Sequence, residues 1–194
     1  MCGYKLGMLR GITGDSRIAE EIVFGTLKTS DMELCREMLK NTSCFRENDI
    51  LISDRRFLSR EMANYIKTEQ KVDIYVPVRE NMDIFKDAVS LAVSSGNWQK
   101  YPNKKRKDQE IQLVKSLKPL WASAMPENDM TVNACVVYDK KTGKFFVFMT
   151  TGTTKTAHQI VQTYELIWTA PRNRRRLPLD ERFLEVKLLQ KYKI

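Results

Sequence analysis

The sequence predicts an α/β fold in which strands alternate with helices and a β-rich region is inserted before the last helix. Three observations predict it. Residues 49–53 (Asp-Ile-Leu-Ile-Ser) form an apolar run of strand length that ends at Asp54. From Arg55 the period changes, and Leu58, Met62, Tyr65 and Ile66 fall on one helical face before residues 72–78 turn β-rich again. Strand, helix and strand in succession make a βαβ unit, with parallel strands and a helix packed on the sheet. Finally, residues 132–138 and 144–150 read as a hairpin around Lys140, Lys141, Thr142 and Gly143.

The other elements follow in order. Residues 4–9 and 18–24 read as short strands joined by a loop rich in turn formers: Gly11, Gly14, Asp15 and Ser16. Ser30 can cap a helix, and Glu33 stands three residues later at the capping-box spacing. Met32, Cys35, Met38 and Leu39 continue that helix. Past Arg79 the character shifts. Lys104, Lys105, Arg106 and Lys107 form a basic run in a polar stretch interrupted by Pro102, Pro119 and Pro126. Thr153 or Thr154 can cap a last helix whose buried face carries Ala157, Ile160, Val161 and Tyr164. From about Ile167 the periodicity fails, and Arg172, Arg174, Arg175 and Arg176 cluster between Pro171 and Pro178. The expected division is a core over residues 1–79, an inserted β-rich region over 80–150, a helix returning to the core over 151–168 and an irregular basic tail over 169–194.

A length of 194 residues suits one domain, or one domain with an insertion. Apolar residues make up 42% and charged residues 29%, which excludes compositional disorder. The formal net charge of +9 suits a polyanionic partner such as nucleic acid. Charge alone is equally compatible with an ordinary basic soluble protein. The cysteines are Cys2, Cys35, Cys44 and Cys135, none in a Cys-x-x-Cys pair, and the one histidine is His158. This argues against a zinc site and against a Cys/His nucleophile pair. Scattered thiols fit a reducing compartment, so a cytoplasmic location is expected. Residues 1–10 lack the apolar core of a signal peptide, and no apolar run approaches the roughly 20 residues that span a bilayer, so no membrane association is expected.

Asp54 is the leading candidate for chemistry. Functional groups of open α/β sheets gather at the carboxyl ends of strands. A carboxylate there can bind Mg²⁺, a hard cation that prefers oxygen ligands. The competing role is a helix N-cap, since Asp also accepts hydrogen bonds from first-turn N–H groups. Local sequence leaves both open.

The wider string is more specific. Leu-Ile-Ser-Asp-Arg-Arg-Phe (residues 51–57), a helix, and then Ile-Tyr-Val-Pro-Val-Arg-Glu-Asn (residues 74–81) resembles the middle of DDE-class insertion-sequence transposases of the insertion-sequence-four branch. The resemblance runs from about Gly3 to Leu166. It implies a partial RNase H-like mixed sheet with flanking helices and an inserted β-rich subdomain. It also implies divalent-metal-dependent cleavage and strand transfer at transposon-end DNA. In such chemistry three carboxylates hold two Mg²⁺ or Mn²⁺ ions, one activating the attacking oxygen and the other stabilising the leaving oxygen. Asp54 matches the family's second aspartate and is the expected catalytic and metal-binding residue. Arg79 matches a basic position that the resemblance places near DNA, and Lys104, Lys105, Arg106 and Lys107 are candidate phosphate contacts.

The match is incomplete. Gly-Tyr-Lys-Leu (residues 3–6) looks like the family's second strand, and no carboxylate corresponds to the first catalytic aspartate, so the chain is expected to be truncated there. The family's last helix carries Tyr, two residues, Arg, three residues, Glu, six residues and Lys. Tyr164 can begin this pattern, but Ile167 and Pro171 stand at the Arg and Glu places. Residues 167–178 can be encoded so that the next reading frame restores the signature, and the tail is therefore expected to be frameshifted. The expectation is an inactive transposase fragment with two sheet neighbours left unpaired for want of a central strand. It could assemble with an intact transposase, or act as a non-catalytic DNA-binding remnant. The tail contributes +5 of the +9, and in a frameshifted tail that charge would not reflect selection for DNA.

Overall fold

The computed structural model describes residues 2–13, 16–47, 49–55, 59–118, 130–168 and 183–193. The fold is mixed α/β and comprises two compact units, residues 1–74 with 171–194, and residues 75–170. The expected cluster at Arg172, Arg174, Arg175 and Arg176, the residues Leu58, Pro119 and Pro126, and the signature position Pro171 lie outside the described residues.

The first unit opens with strand β1 (Cys2–Thr13) paired antiparallel to strand β2 (Ser16–Thr26), from Tyr4↔Thr26 to Thr13↔Ser16. The hairpin is longer than expected because Gly11 lies in β1, opposite Ile18, and not in the loop. Helix α1 (Asp31–Asn41) follows, with Ser30 Oγ accepting from the Glu33 N–H at 3.1 Å, as the cap spacing predicts. Its buried face is Leu34, Cys35, Met38 and Leu39. Leu34 therefore takes the place expected for Met32, because α1 lies against the hairpin at two of its glycines, Gly7 and Gly25. A Cβ on Gly7 would stand 3.3 Å from Leu34 Cγ, and one on Gly25 would stand 3.0 Å from Leu34 Cδ1. Lys5 fixes the start of α1 by donating to Thr29 O at 2.7 Å and Asp31 Oδ1 at 2.9 Å.

Strand β3 (Ile50–Ile52) is buried along its length. Helix α2 (Arg60–Thr68) then buries Met62, Ala63 and Ile66. The last strand of this unit, β9 (Phe183–Lys193), corrects the expectation of an irregular tail. It runs antiparallel to β1 from Cys2↔Lys193 to Ile12↔Phe183, and parallel to β3 from Ile50↔Phe183 to Ile52↔Glu185. The order is β2-β1-β9-β3. The two strands expected to lack a neighbour thus share one, supplied by the end of the chain. The driving force is general: buried N–H and C=O groups along β1 and β3 must be paired.

The boundary between units falls inside strand β4 (Asp73–Pro77). The second unit then has helix α3 (Asp83–Ser95), strand β5 (Gln99–Lys100), a 3₁₀ turn (Lys104–Arg106), strand β6 (Gln109–Leu117), strand β7 (Val132–Asp139), strand β8 (Lys144–Thr150) and helix α4 (Ala157–Trp168). Its strand order is β4-β8-β7-β6-β5, antiparallel throughout. The expected β7–β8 hairpin is present. Asp139 Oδ1 accepts from the Lys141 and Thr142 N–H groups, and Gly143 takes a positive φ of 68°.

Helix α3 lies inside the region expected to be β-rich. Of its buried residues Ile84, Ala88 and Ala92, two are alanines, and Met82 at its N-cap makes no side-chain cap bond. Helix α4 packs on β6 and β7 within the second unit. Its cap is Thr156, not Thr153 or Thr154. Thr156 Oγ1 accepts from Gln159 N at 3.3 Å while Gln159 Oε1 accepts from Thr156 N at 2.9 Å, a reciprocal capping box.

The β1–β9–β3 ladder sets a direct test. Proline cannot donate to a ladder and is not tolerated in a central strand. Leu188→Pro, opposite Gly7 in β1, is expected to abolish slow hydrogen exchange in β1 and β3 while leaving the β7–β8 amides protected. Retained protection of β1 would show that β9 does not hold the sheet.

Candidate functional site

Asp54 lies just beyond the carboxyl end of β3, half-buried, after the buried Ser53. The N-cap of α2 is a residue other than Asp54. Ser59 is its N-cap, with extended backbone (φ −135°, ψ 154°), and Ser59 Oγ accepts from Met62 N at 3.2 Å. Asp54 is therefore not the cap of α2. Among the described residues, no three His, Cys, Asp or Glu side chains come together in a way that could hold a metal ion. The residues described do not make up a two-metal site around Asp54. Glu185, the one acidic residue of β9, pairs through its backbone with β3, opposite Ile52.

The expected DNA contacts lie in the second unit. Arg79 is exposed, and its carbonyl accepts from Met82 N at 3.1 Å in the turn leading to α3. Lys104, Lys105 and Lys107 are exposed around the 3₁₀ turn, which Asn103 caps by accepting from Lys105 N at 3.0 Å. Arg106 differs. Its Nε lies 2.8 Å from Glu165 Oε1, and its guanidinium sits 5.5 Å above the Tyr101 ring. Tyr101 donates its hydroxyl to Glu165 Oε1 and Asn103 donates Nδ2 to Glu165 Oε2, each at 3.1 Å. The Glu165 side chain is only 13% exposed. Charge-assisted bonds of this kind are roughly twice as strong as neutral ones. Arg106 thus fastens the basic turn to α4, and three lysines of the run remain as exposed cations. Burial, reinforced by the Glu165 charge, pushes the Tyr101 hydroxyl well above the ordinary tyrosine range.

A cleft of about 690 Å³ lies elsewhere in the second unit, between the end of α3, β6 and the start of α4. Its walls are tied together by Asn133, a residue of β7 that is 2% exposed. Asn133 Oδ1 accepts from Ser116 N at 3.0 Å, and Nδ2 donates to Thr153 O at 3.3 Å. Ser116 sits at a register irregularity in β6 with a positive φ of 57°. The side-chain amide of Asn133 replaces the ladder bond that this bulge interrupts. Sequence reasoning missed the cleft because its parts come from residues 91–99, 112–115 and 154–158 and carry no motif.

Among the described residues, no helix is long and apolar enough to cross a membrane. Comparison with protein-family models, with curated proteins and with solved structures gives no match.

The thiols are sharply graded. Burial pushes Cys35 and Cys135 up to about 12, whereas Cys44 is half-buried. The thiolate is the nucleophile, so iodoacetamide at pH 8 is expected to label Cys44 well before Cys35 and Cys135 in the native protein. Equal labelling, read by peptide mass, would contradict the packing of α1 and β7. The sign for stability follows from the raised values. The buried thiols favour the folded state below about pH 8.5, the ordinary cysteine value, and that contribution declines as pH rises toward 12.

Proposed function

We propose that this chain is a degenerate DDE-class transposase domain that contacts DNA without cutting it. The observation that carries the reading is Asp54 at the carboxyl end of β3, with the cap of α2 supplied by Ser59. The strand pattern supports it. An RNase H-like sheet has a central strand antiparallel to one neighbour and parallel to the other, and β9 stands in that relation to β1 and β3. The string around Asp54 and Arg79 and the β-rich region before α4 agree with the same reading. In that family Mg²⁺ or Mn²⁺ would supply the activated water and the charge stabilisation. A two-metal site needs several carboxylates, and those of the described residues do not gather.

The retained activity is then DNA binding, through Arg79 and the exposed Lys104, Lys105 and Lys107. Transposon ends are the proposed DNA, and an intact transposase is a proposed partner in mixed assembly.

Fluorescence anisotropy with duplex DNA across a salt series tests binding. Removing one cation that neutralises a phosphate lowers the log–log salt slope by roughly one. The triple variant Lys104→Ala, Lys105→Ala, Lys107→Ala is therefore expected to lower it by about two to three. Salt-independent binding, or none, removes the DNA role. Cleavage assays with Mg²⁺ or Mn²⁺ are expected to give no product. A metal-dependent product abolished by Asp54→Ala would show that catalysis survives.

A further inference from the structure

The β1–β2 hairpin has one face covered by helix and one that is apolar and exposed. α1 and α2 lie side by side, with Arg36 Nη2 2.6 Å from Glu61 Oε2 and Lys40 Nζ 5.8 Å from the centroid of the Tyr65 ring. α1 packs on the face that carries Gly7 and Val23, since a Cβ on Gly7 would stand 2.9 Å from Val23 Cγ2 and 3.3 Å from Leu34 Cγ. Successive side chains of a strand point to opposite faces, so Ile22 and Phe24 point away from α1. They are 43% and 70% exposed. Met8 and Leu6 stand opposite them in β1, and the exposed Tyr4 extends the row.

The same hairpin ends the sheet. In the order β2-β1-β9-β3, β2 has β1 as its one neighbour among the described residues. Alternate residues of an antiparallel strand turn their N–H and C=O groups away from a given neighbour. Half of the backbone groups of β2 therefore face outward, where another strand can meet them. Native sheets blunt such edges with short strands, Pro, Lys or bulges. β5, at the end of the second unit's order, is two residues long. β2 runs for 11 residues with neither Pro nor Lys. It does carry a bulge: Leu9 pairs with Glu21 and Arg10 with Ala19, which places Glu20 at the irregularity. Residues 21–26 remain as a regular edge.

We propose that β2 pairs antiparallel with the β2 of a second copy of this chain, about a two-fold axis at Val23, so that two sheets run on as one. This register fits the sequence. It sets Ile22 opposite Phe24 of the copy, which joins the two exposed apolar rows, and it sets Glu21 opposite Gly25 and Glu20 opposite Thr26. Every pair occurs twice, as an isologous contact requires. No like charges meet, whereas a two-fold axis at Glu20 or Glu21 would bring two carboxylates face to face and draw the bulge into the ladder. An edge this short makes a small interface, below roughly 1,200 Å², so micromolar association is expected. The proposal does not rest on the transposase reading, because it uses neither Asp54 nor the residues assigned to DNA contact.

Sedimentation velocity of the full chain across micromolar concentrations is the test, and a monomer–dimer equilibrium is expected. Phe24→Lys removes two rings from the interface and is expected to weaken dimerisation roughly tenfold or more. The ring is exposed in the single chain, so the variant is expected to fold as the wild type does. Ile18→Lys, also at an exposed position but on the far side of the bulge, is expected to leave dimerisation unchanged. Cross-linking reads the register. With oxidised glutathione, an equal mixture of Ile22→Cys and Phe24→Cys chains is expected to form a disulfide between positions 22 and 24, identified by peptide mass, well ahead of either chain alone. Directly opposed residues lie within disulfide reach and diagonal ones beyond it. A monomer at every concentration overturns the proposal. In that monomer, β2 amides slow to exchange would assign the edge to another segment of the same chain, and fast ones would leave it to a different protein. Ile18→Lys as disruptive as Phe24→Lys, or a cross-link no faster in the mixture, overturns it too, since association would then use the apolar face at large.

Discussion

The first unit depends on one backbone ladder, in which β9 lies between β1 and β3. β9 pairs with β1 along a register of hydrogen-bonding residues from Phe183 to Lys193, and with β3 over Phe183, Leu184 and Glu185. β3 is only three residues long. Without β9 its buried N–H and C=O groups on that side would lie unpaired, at a cost of several kcal/mol for a segment of this kind. The ladder joins residues near the start of the chain to residues near its end, so the sheet closes by long-range contacts. Such pairings bear the entropy of loop closure before they are rewarded, which makes them late events in folding. In the second unit β6, β7 and β8 pair with nearer neighbours in sequence, while β4 closes on β8 over a long range, from Tyr75↔Thr150 to Pro77↔Phe148.

What the sequence disclosed, and what it hid, follows from the same physics. The α1 cap is legible because Ser30 and Glu33 form a local signal that tertiary contacts need only preserve. The β7–β8 hairpin is legible because Gly143 marks its turn. β9 is hard to read, although Leu184, Val186 and Leu188 alternate with Glu185 and Lys187. That period-two pattern follows the dense arginines of residues 172–176 and describes a strand whose partners are distant in sequence. α3 is hidden for the opposite reason. Its packing residues Ala88 and Ala92 give a weak amphipathic signal, and no side chain marks its start. For Asp54, two oxygen-bearing residues compete for one cap, and only the backbone of Ser59 decides between them.

The candidate site shows why charge must be assigned residue by residue. Four consecutive basic residues invite a reading as one phosphate-binding run, yet Arg106 is held by Glu165 and stacked over Tyr101. Glu165 itself stands on α4, the helix on which the resemblance seeks a carboxylate, but it is engaged by Tyr101, Asn103 and Arg106. Its position is structural: it binds the basic turn to the helix. That leaves the neighbouring lysines on a fixed base, which reduces the conformational entropy they would lose on meeting a phosphate backbone.

Asp54 keeps its place for a reason independent of metal. In a two-metal site the ions draw carboxylates together and contribute to the order of the strands that carry them. Here β3 is positioned by the β9 ladder and by its buried side chains Ile50, Leu51 and Ile52. A strand end held in this way persists whether or not an ion binds. On the proposed ancestry, loss of the other carboxylates would remove catalysis while leaving the fold intact around Asp54. The same separation applies in the second unit, where Asn133 and Glu165 hold the cleft and the basic turn by hydrogen bonds within that unit. Binding surfaces built on such internal supports can outlast the chemistry they once served, because the interactions that shape them are those that stabilise the fold.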